Sequence, residues 1–178
     1  MTSFPAKPLT VNLNLQNVLD LQTLNNSDVS DIITETWQQW IQIWLEELHP
    51  IITRLEVCEL SIRLTSDHEI QTLNNQYRHK NQPTDVLVFA ALEVQVPQSS
   101  EKISTDEPLY LGDIIISVDT ARKQARQNYH SLTVELAWLV AHGLLHLLGW
   151  DHPDEESLQH MLAQQEALLK LVGLQPNN

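Results

Sequence analysis

His142 and His146 stand four residues apart in a stretch, Leu136 to Leu148, that is apolar on nearly every side. That spacing puts both imidazoles on one face of a helix. A single histidine in such a helix would be a hydrogen-bonded core residue. Two need a shared reason, and a metal ion supplies one by satisfying the lone pairs of two buried neutral rings. His152 is the third candidate ligand. Gly149 lets the chain turn, and Pro153 biases His152 toward extended backbone, outside either helix. Three neutral imidazoles leave a tetrahedral zinc site with its fourth position open, which is the catalytic and not the structural arrangement, with one ion per chain. Asp151 is the expected carboxylate that orients one of the rings.

The order His142, His146, Gly149, His152 follows the metzincin pattern H-E-x-x-H-x-x-G-x-x-H except at one place, where Gly143 replaces the glutamate. Without that carboxylate the usual general base for peptide hydrolysis is missing, so the motif predicts a metal site and argues against a protease. Glu135, Leu139, His142 and His146 share a helix face, which keeps a peptidase-like metal hydrolase as an alternative. The plainer account of Glu135 is a first-turn carboxylate that complements the helix dipole.

Two cationic windows accompany the histidines. NNQYRHKNQPTDVLVF (74–89) carries Arg78 and Lys80, and ARKQAR (121–126) carries Arg122, Lys123 and Arg126. These five are half of the ten lysines and arginines in a chain of net charge −13. So acidic a chain is repelled by bulk nucleic acid unless its cations are concentrated, and here they are, as a local attraction for phosphate. Solvated helix faces are the alternative, most of all for the second window.

The elements that must position these groups can be read from pattern. The 178 residues, 42% hydrophobic and 19% charged, predict a single domain, 1–178, with one core. VNLNL (11–15) and residues 55–65 alternate as strands, with Cys58 on the apolar face of the second as a small buried hydrophobe. Residues 30–48 form an amphipathic helix whose tryptophans, Trp37, Trp40 and Trp44, are expected in the core. Ser66 and Glu69 predict a capping box opening a helix that carries Ile70, Leu73 and Tyr77. Strands follow at 85–92 and 110–118, separated by the polar segment 93–108, either a functional flap or a disordered insertion loop. A helix capped by Asp119 or Thr120 ends near Gln127, the metal helix starts from a cap at Ser131 or Thr133, and a last helix follows Pro153 and runs to Gly173. The expectation is an α+β fold, a small mixed sheet of about four strands with one antiparallel edge, packed with about five helices. His49, His68, His79, His130 and His160 are expected at the surface. MTSFPAKPLT has no apolar signal region, and Leu136 to Trp150 is too short to span a bilayer, so the expectation is a cytoplasmic protein without a membrane partner.

HGLLHLLGWDH (142–152) and YRHKNQPTDVLVF (77–89) resemble the two signatures of the YbeY family of bacterial endoribonucleases, and LGDIIIS (111–117) lies between them as in that family. The resemblance spans roughly residues 55 to 155. Asn81 stands where the family usually has Asp, Val88 where it often has Ser, and Trp150 where Tyr is commoner. The resemblance implies a zinc-dependent, single-strand-specific endoribonuclease in small-subunit rRNA 3′-end maturation and ribosome quality control. It implies zinc on His142, His146 and His152, a catalytic role for Arg78, and partners among small ribosomal subunit proteins and an Era-type GTPase. A non-catalytic ribosome assembly factor with a structural zinc is the other alternative, since an acidic chain suits docking on basic ribosomal proteins.

Overall fold

The computed structural model of the chain describes residues 9–19, 34–48, 57–91 and 108–176. Its order is β1 (Thr10–Asn17), α1 (Thr34–Leu48), β2 (Val57–Thr65), α2 (Asp67–Arg78), β3 (Val86–Ala90), β4 (Leu109–Ser117), α3 (Val118–Gln127), α4 (Leu132–Leu147) and α5 (Glu155–Leu171). The four strands form one sheet in the order β1-β2-β4-β3, parallel except for the antiparallel edge pair β3–β4. This is the expected α+β architecture. The segment 93–108 lies, apart from Pro108, outside the described residues, as does His49. Among the described residues no helix is long and apolar enough to cross a membrane.

Alternation decides which side of the sheet carries the core. Cys58, Leu60, Ile62 and Leu64 of β2, with Ile114 and Ile116 of β4, bury one face under α1, α4 and α5. Ile115 and Leu87 point the other way and meet Ile70 of α2. Trp37 and Trp44 are fully buried, and the Trp44 Nε1–H donates to the Leu168 carbonyl at 2.7 Å, tying α1 to α5. Trp37 and Trp44 are core as expected, and Trp40 is half-buried against it. Burial pushes the Cys58 thiol up to about 11, which keeps it protonated and unreactive.

The helix starts follow the sequence with two corrections. Ser66 caps α2, accepting from the Glu69 N–H at 3.4 Å, but the box is half-formed: the Glu69 carboxylate takes Arg63 at 2.6 Å and the Thr65 hydroxyl instead. The cap of α3 is Ser117, which accepts from Thr120 N–H at 3.2 Å, and not Asp119 or Thr120. Asp119 is engaged elsewhere, accepting from the backbone N–H of Asp67 at 2.9 Å. β4 runs directly into α3, so the last strand residue is already the cap. Ser131 caps α4, and Asp154 and Ser157 form a reciprocal capping box on α5.

Gly112 sets the height of the edge strand. Its φ is +135°, and a Cβ there would lie 2.1 Å from the Phe89 carbonyl oxygen. Only glycine lets β3 close on β4 at this point, which holds the β3 residues over α4.

Candidate metal centre

α4 is buried along most of its length and packs on β3, β4, α3 and α5. Gly143 is why it can lie so close to the sheet: a Cβ at this position would meet Ile114 Cγ2 at 2.8 Å. The place where the metzincin pattern has its glutamate is therefore filled by the sheet. Glu135 does not substitute for it. Its side chain is 3% exposed and paired with the ring of His130, itself 6% exposed, at a separate cleft also lined by Asn128 and Trp138. This corrects the surface placement expected for His130. His68, His79 and His160 are exposed as expected.

His142 and His146 present their Nε2 atoms to each other at 3.0 Å, and His152 returns from the turn with ring centroids 5.6 and 5.3 Å from theirs. Gly149, at φ +91°, makes that return possible. One ligand atom from each ring lies within 4.8 Å of the others. Two nitrogens held at 2.0–2.1 Å in a tetrahedral zinc site stand about 3.3 Å apart, so this donor set fits a metal ion with little adjustment. Burial is the main influence holding the pKa of both His142 and His146 below the ordinary imidazole value, which keeps their lone pairs available at neutral pH.

The rings are oriented by neighbours that the sequence did not reveal. Gln165 of α5, fully buried, donates its Nε2–H to the Trp138 carbonyl at 3.3 Å. Its amide orientation is thereby fixed, and its Oε1 lies 3.1 Å from His142 Nδ1. The proton belongs on Nδ1 and the Nε2 lone pair faces the other ligands. His146 donates a ring N–H to the backbone carbonyl of Trp150. Asp151 borders the same cleft, but its Oδ1 accepts from the His152 backbone N–H at 2.8 Å, so it positions the chain at His152 where the sequence suggested a bond to a ring. We expect Gln165→Leu to weaken zinc binding about 10-fold to 100-fold in chelator competition.

Opposite the histidines, the turn from α2 to β3 contributes Arg78, Thr84 and Asp85, and Val86, Val88 and Ala90 of β3 form the wall, enclosing about 460 Å³. The end of α2 is pinned firmly. His79 takes a left-handed cap conformation at φ 57°, the buried Asn74 donates to the Gln82 carbonyl at 2.9 Å, and Gln71 donates to Asn81 Oδ1 at 3.1 Å. Asn81 thus serves as an anchor for the turn that carries Arg78. Asp85, not singled out by the sequence, accepts from the Val86 N–H at 2.7 Å and from Gln124 at 3.1 Å, and its charge favours protonation of His142.

The other predicted cations stand apart from this cleft. Lys80 and Arg126 are exposed, Lys123 pairs with Asp67 at 2.9 Å, and Arg122 has its Nε and Nη2 buried without a hydrogen-bond partner. None of the four lines the cleft. The site that is assembled is an arginine facing a three-histidine cluster, an arrangement able to hold a phosphate against a metal ion.

A family described as Endoribonuclease YbeY matches residues 22–173. A protein of that name from a Nostoc species is 57% identical over 148 residues, 83% of this chain and 79% of its own. Namesakes from a Cyanothece species and from Synechocystis are 55% and 49% identical, covering 90% and 94% of this chain and 95% and 93% of theirs. A solution structure from Thermotoga maritima, 22% identical, superposes with a TM-score of 0.47 over 92% of this chain and 91% of that one.

Proposed function

The chain belongs to the YbeY endoribonuclease family, and from that premise we propose that it is a zinc-dependent, single-strand-specific endoribonuclease that matures the 3′ end of small-subunit rRNA and serves in ribosome quality control. The observation that supports this most is the convergence of Arg78 and three histidines on one cleft. His142, His146 and His152 would hold the ion, which when bound supplies Lewis-acid charge for a scissile phosphate. Arg78, with no hydrogen bond or ion pair among the described residues, offers a planar guanidinium that takes two phosphate oxygens and stabilises the charge developing on them. Gln165 keeps the His142 proton on Nδ1 throughout. Lys80 and Arg126 extend the attraction along the RNA beyond the cleft, with Arg122 and Lys123 behind them.

The acidic net charge favours an encounter in which basic ribosomal proteins share the docking with RNA, and small-subunit proteins and an Era-type GTPase are the proposed partners. The proposed compartment is the cytoplasm. Against the peptidase-like alternative stand Gly143, closed off by Ile114, and Glu135, held by His130.

The test is cleavage of an RNA spanning the small-subunit 3′ end, free and within the subunit, by the zinc-loaded chain. Cleavage is expected in single-stranded segments and not in a duplex of the same sequence. Product ends separate the nucleophiles: a 2′,3′-cyclic phosphate marks attack by the neighbouring 2′-hydroxyl, and its absence throughout marks attack by water. Cleavage of neither substrate would contradict the proposal.

A further inference from the structure

Tyr77 immediately precedes Arg78 at the end of α2 and is 58% exposed. Large apolar side chains are expensive to leave in water. Its ring is nevertheless held in place: it meets Phe89 edge-on, with centroids 5.1 Å apart and planes at 69°. That contact uses an edge-to-face geometry and leaves ring surface open to solvent.

The position of the ring relative to the cleft gives it a use. Phe89 lies on the opposite side of β3 from Val88 and Ala90, which line the cleft, and β3 is the outer strand of the sheet. A strand leaving the metal centre past Arg78 therefore crosses the sheet edge and arrives at Tyr77. Exposed Arg78 and Lys80 flank this route with positive charge. The other exposed tyrosines are placed differently: Tyr110 donates its hydroxyl to Asp113 at 2.6 Å, and Tyr129 sits on the α3–α4 turn. An aromatic face beside cations that track a phosphate backbone is the arrangement by which proteins take unpaired bases without reading their sequence.

We propose that Tyr77, fixed by Phe89, is the stacking platform for the unpaired base next to the phosphate held by Arg78, and so makes the site prefer single-stranded RNA. A base within a duplex is already stacked on both faces and has none free for the ring. This inference rests on the endoribonuclease reading.

The experiment compares Tyr77→Leu, Tyr77→Phe and Tyr77→Trp with wild type. Leucine keeps the apolar cover over Phe89 and removes the π face; phenylalanine and tryptophan keep it. On a short single-stranded oligoribonucleotide, Tyr77→Leu is expected to raise KM about 10-fold with kcat within about 2-fold of wild type, while the aromatic variants stay near wild type. Zinc content should not change. Separately, the metal-free chain should quench an oligoribonucleotide carrying 2-aminopurine at the stacked position, and Tyr77→Leu should not. An unchanged KM and unchanged quenching in Tyr77→Leu would overturn the proposal, as would a Tyr77→Phe variant as poor as Tyr77→Leu, which would assign the effect to the hydroxyl. Wild-type quenching without cleavage would instead count against the endoribonuclease reading and leave the platform supported.

Discussion

Arg78→Ala is expected to leave the zinc in place and lower kcat/KM for RNA cleavage by about 10³-fold. The size follows from what the guanidinium does. It is exposed at the cleft and paired with nothing among the described residues, so its hydrogen-bonding capacity is available to a phosphate as charge develops. Losing one preorganised donor to a developing oxyanion costs about 10² to 10³ in rate, and losing a cation on a transferring phosphoryl group about 10³ to 10⁵. Arg78→Lys should recover little, because a point charge does not reproduce the fork. The fold should not suffer, since the end of α2 is held by Asn74 and Gln71 and not by the arginine. Steady-state kinetics with zinc analysis of the same preparations checks this. Equal loss of zinc and activity would mean that Arg78 acts on the metal site's integrity.

His146→Ala should weaken zinc binding by at least about 100-fold and reduce RNA cleavage to background. Removing one of the three candidate ligands also leaves His142 without the neighbour that its Nε2 faces. Chelation of the wild-type chain should have the same effect on cleavage and lower its Tm, because the ion binds only the folded arrangement. The pH dependence has a definite sign. The folded-state pKa values of His142 and His146 are depressed, so the unfolded chain takes up protons first as pH falls below the ordinary imidazole value. The metal-free chain therefore loses stability from that point downward until the depressed values are passed, and it gains none above it. Thermal melts of chelated protein across that range measure the trend; a metal-free Tm that rises on acidification would refute it.

What could be read from the sequence was whatever local periodicity encodes. The i, i+4 histidines, the alternation of β2, the caps at Ser66 and Ser131 and the turn at Gly149 all lie within a few residues of what they determine. His152, the third candidate ligand, was legible from the same turn and from Pro153. The ring orientation could not be read. Gln165 reaches His142 from a different helix, and a glutamine in an amphipathic helix has no mark that separates it from a surface residue. Asp85 is hidden in the same way by its position at a strand start. The His130–Glu135 pair crosses a helix cap, where neither the helical nor the strand period applies.

The most direct test is zinc titration of chelated wild-type protein against cleavage of a single-stranded RNA, with bound metal measured at each point. Cleavage rising in proportion to zinc and levelling at one ion per chain, with His146→Ala showing neither, is the predicted result. Cleavage that persists without metal, or that His146→Ala retains, would contradict a three-histidine metal centre as the seat of RNA hydrolysis.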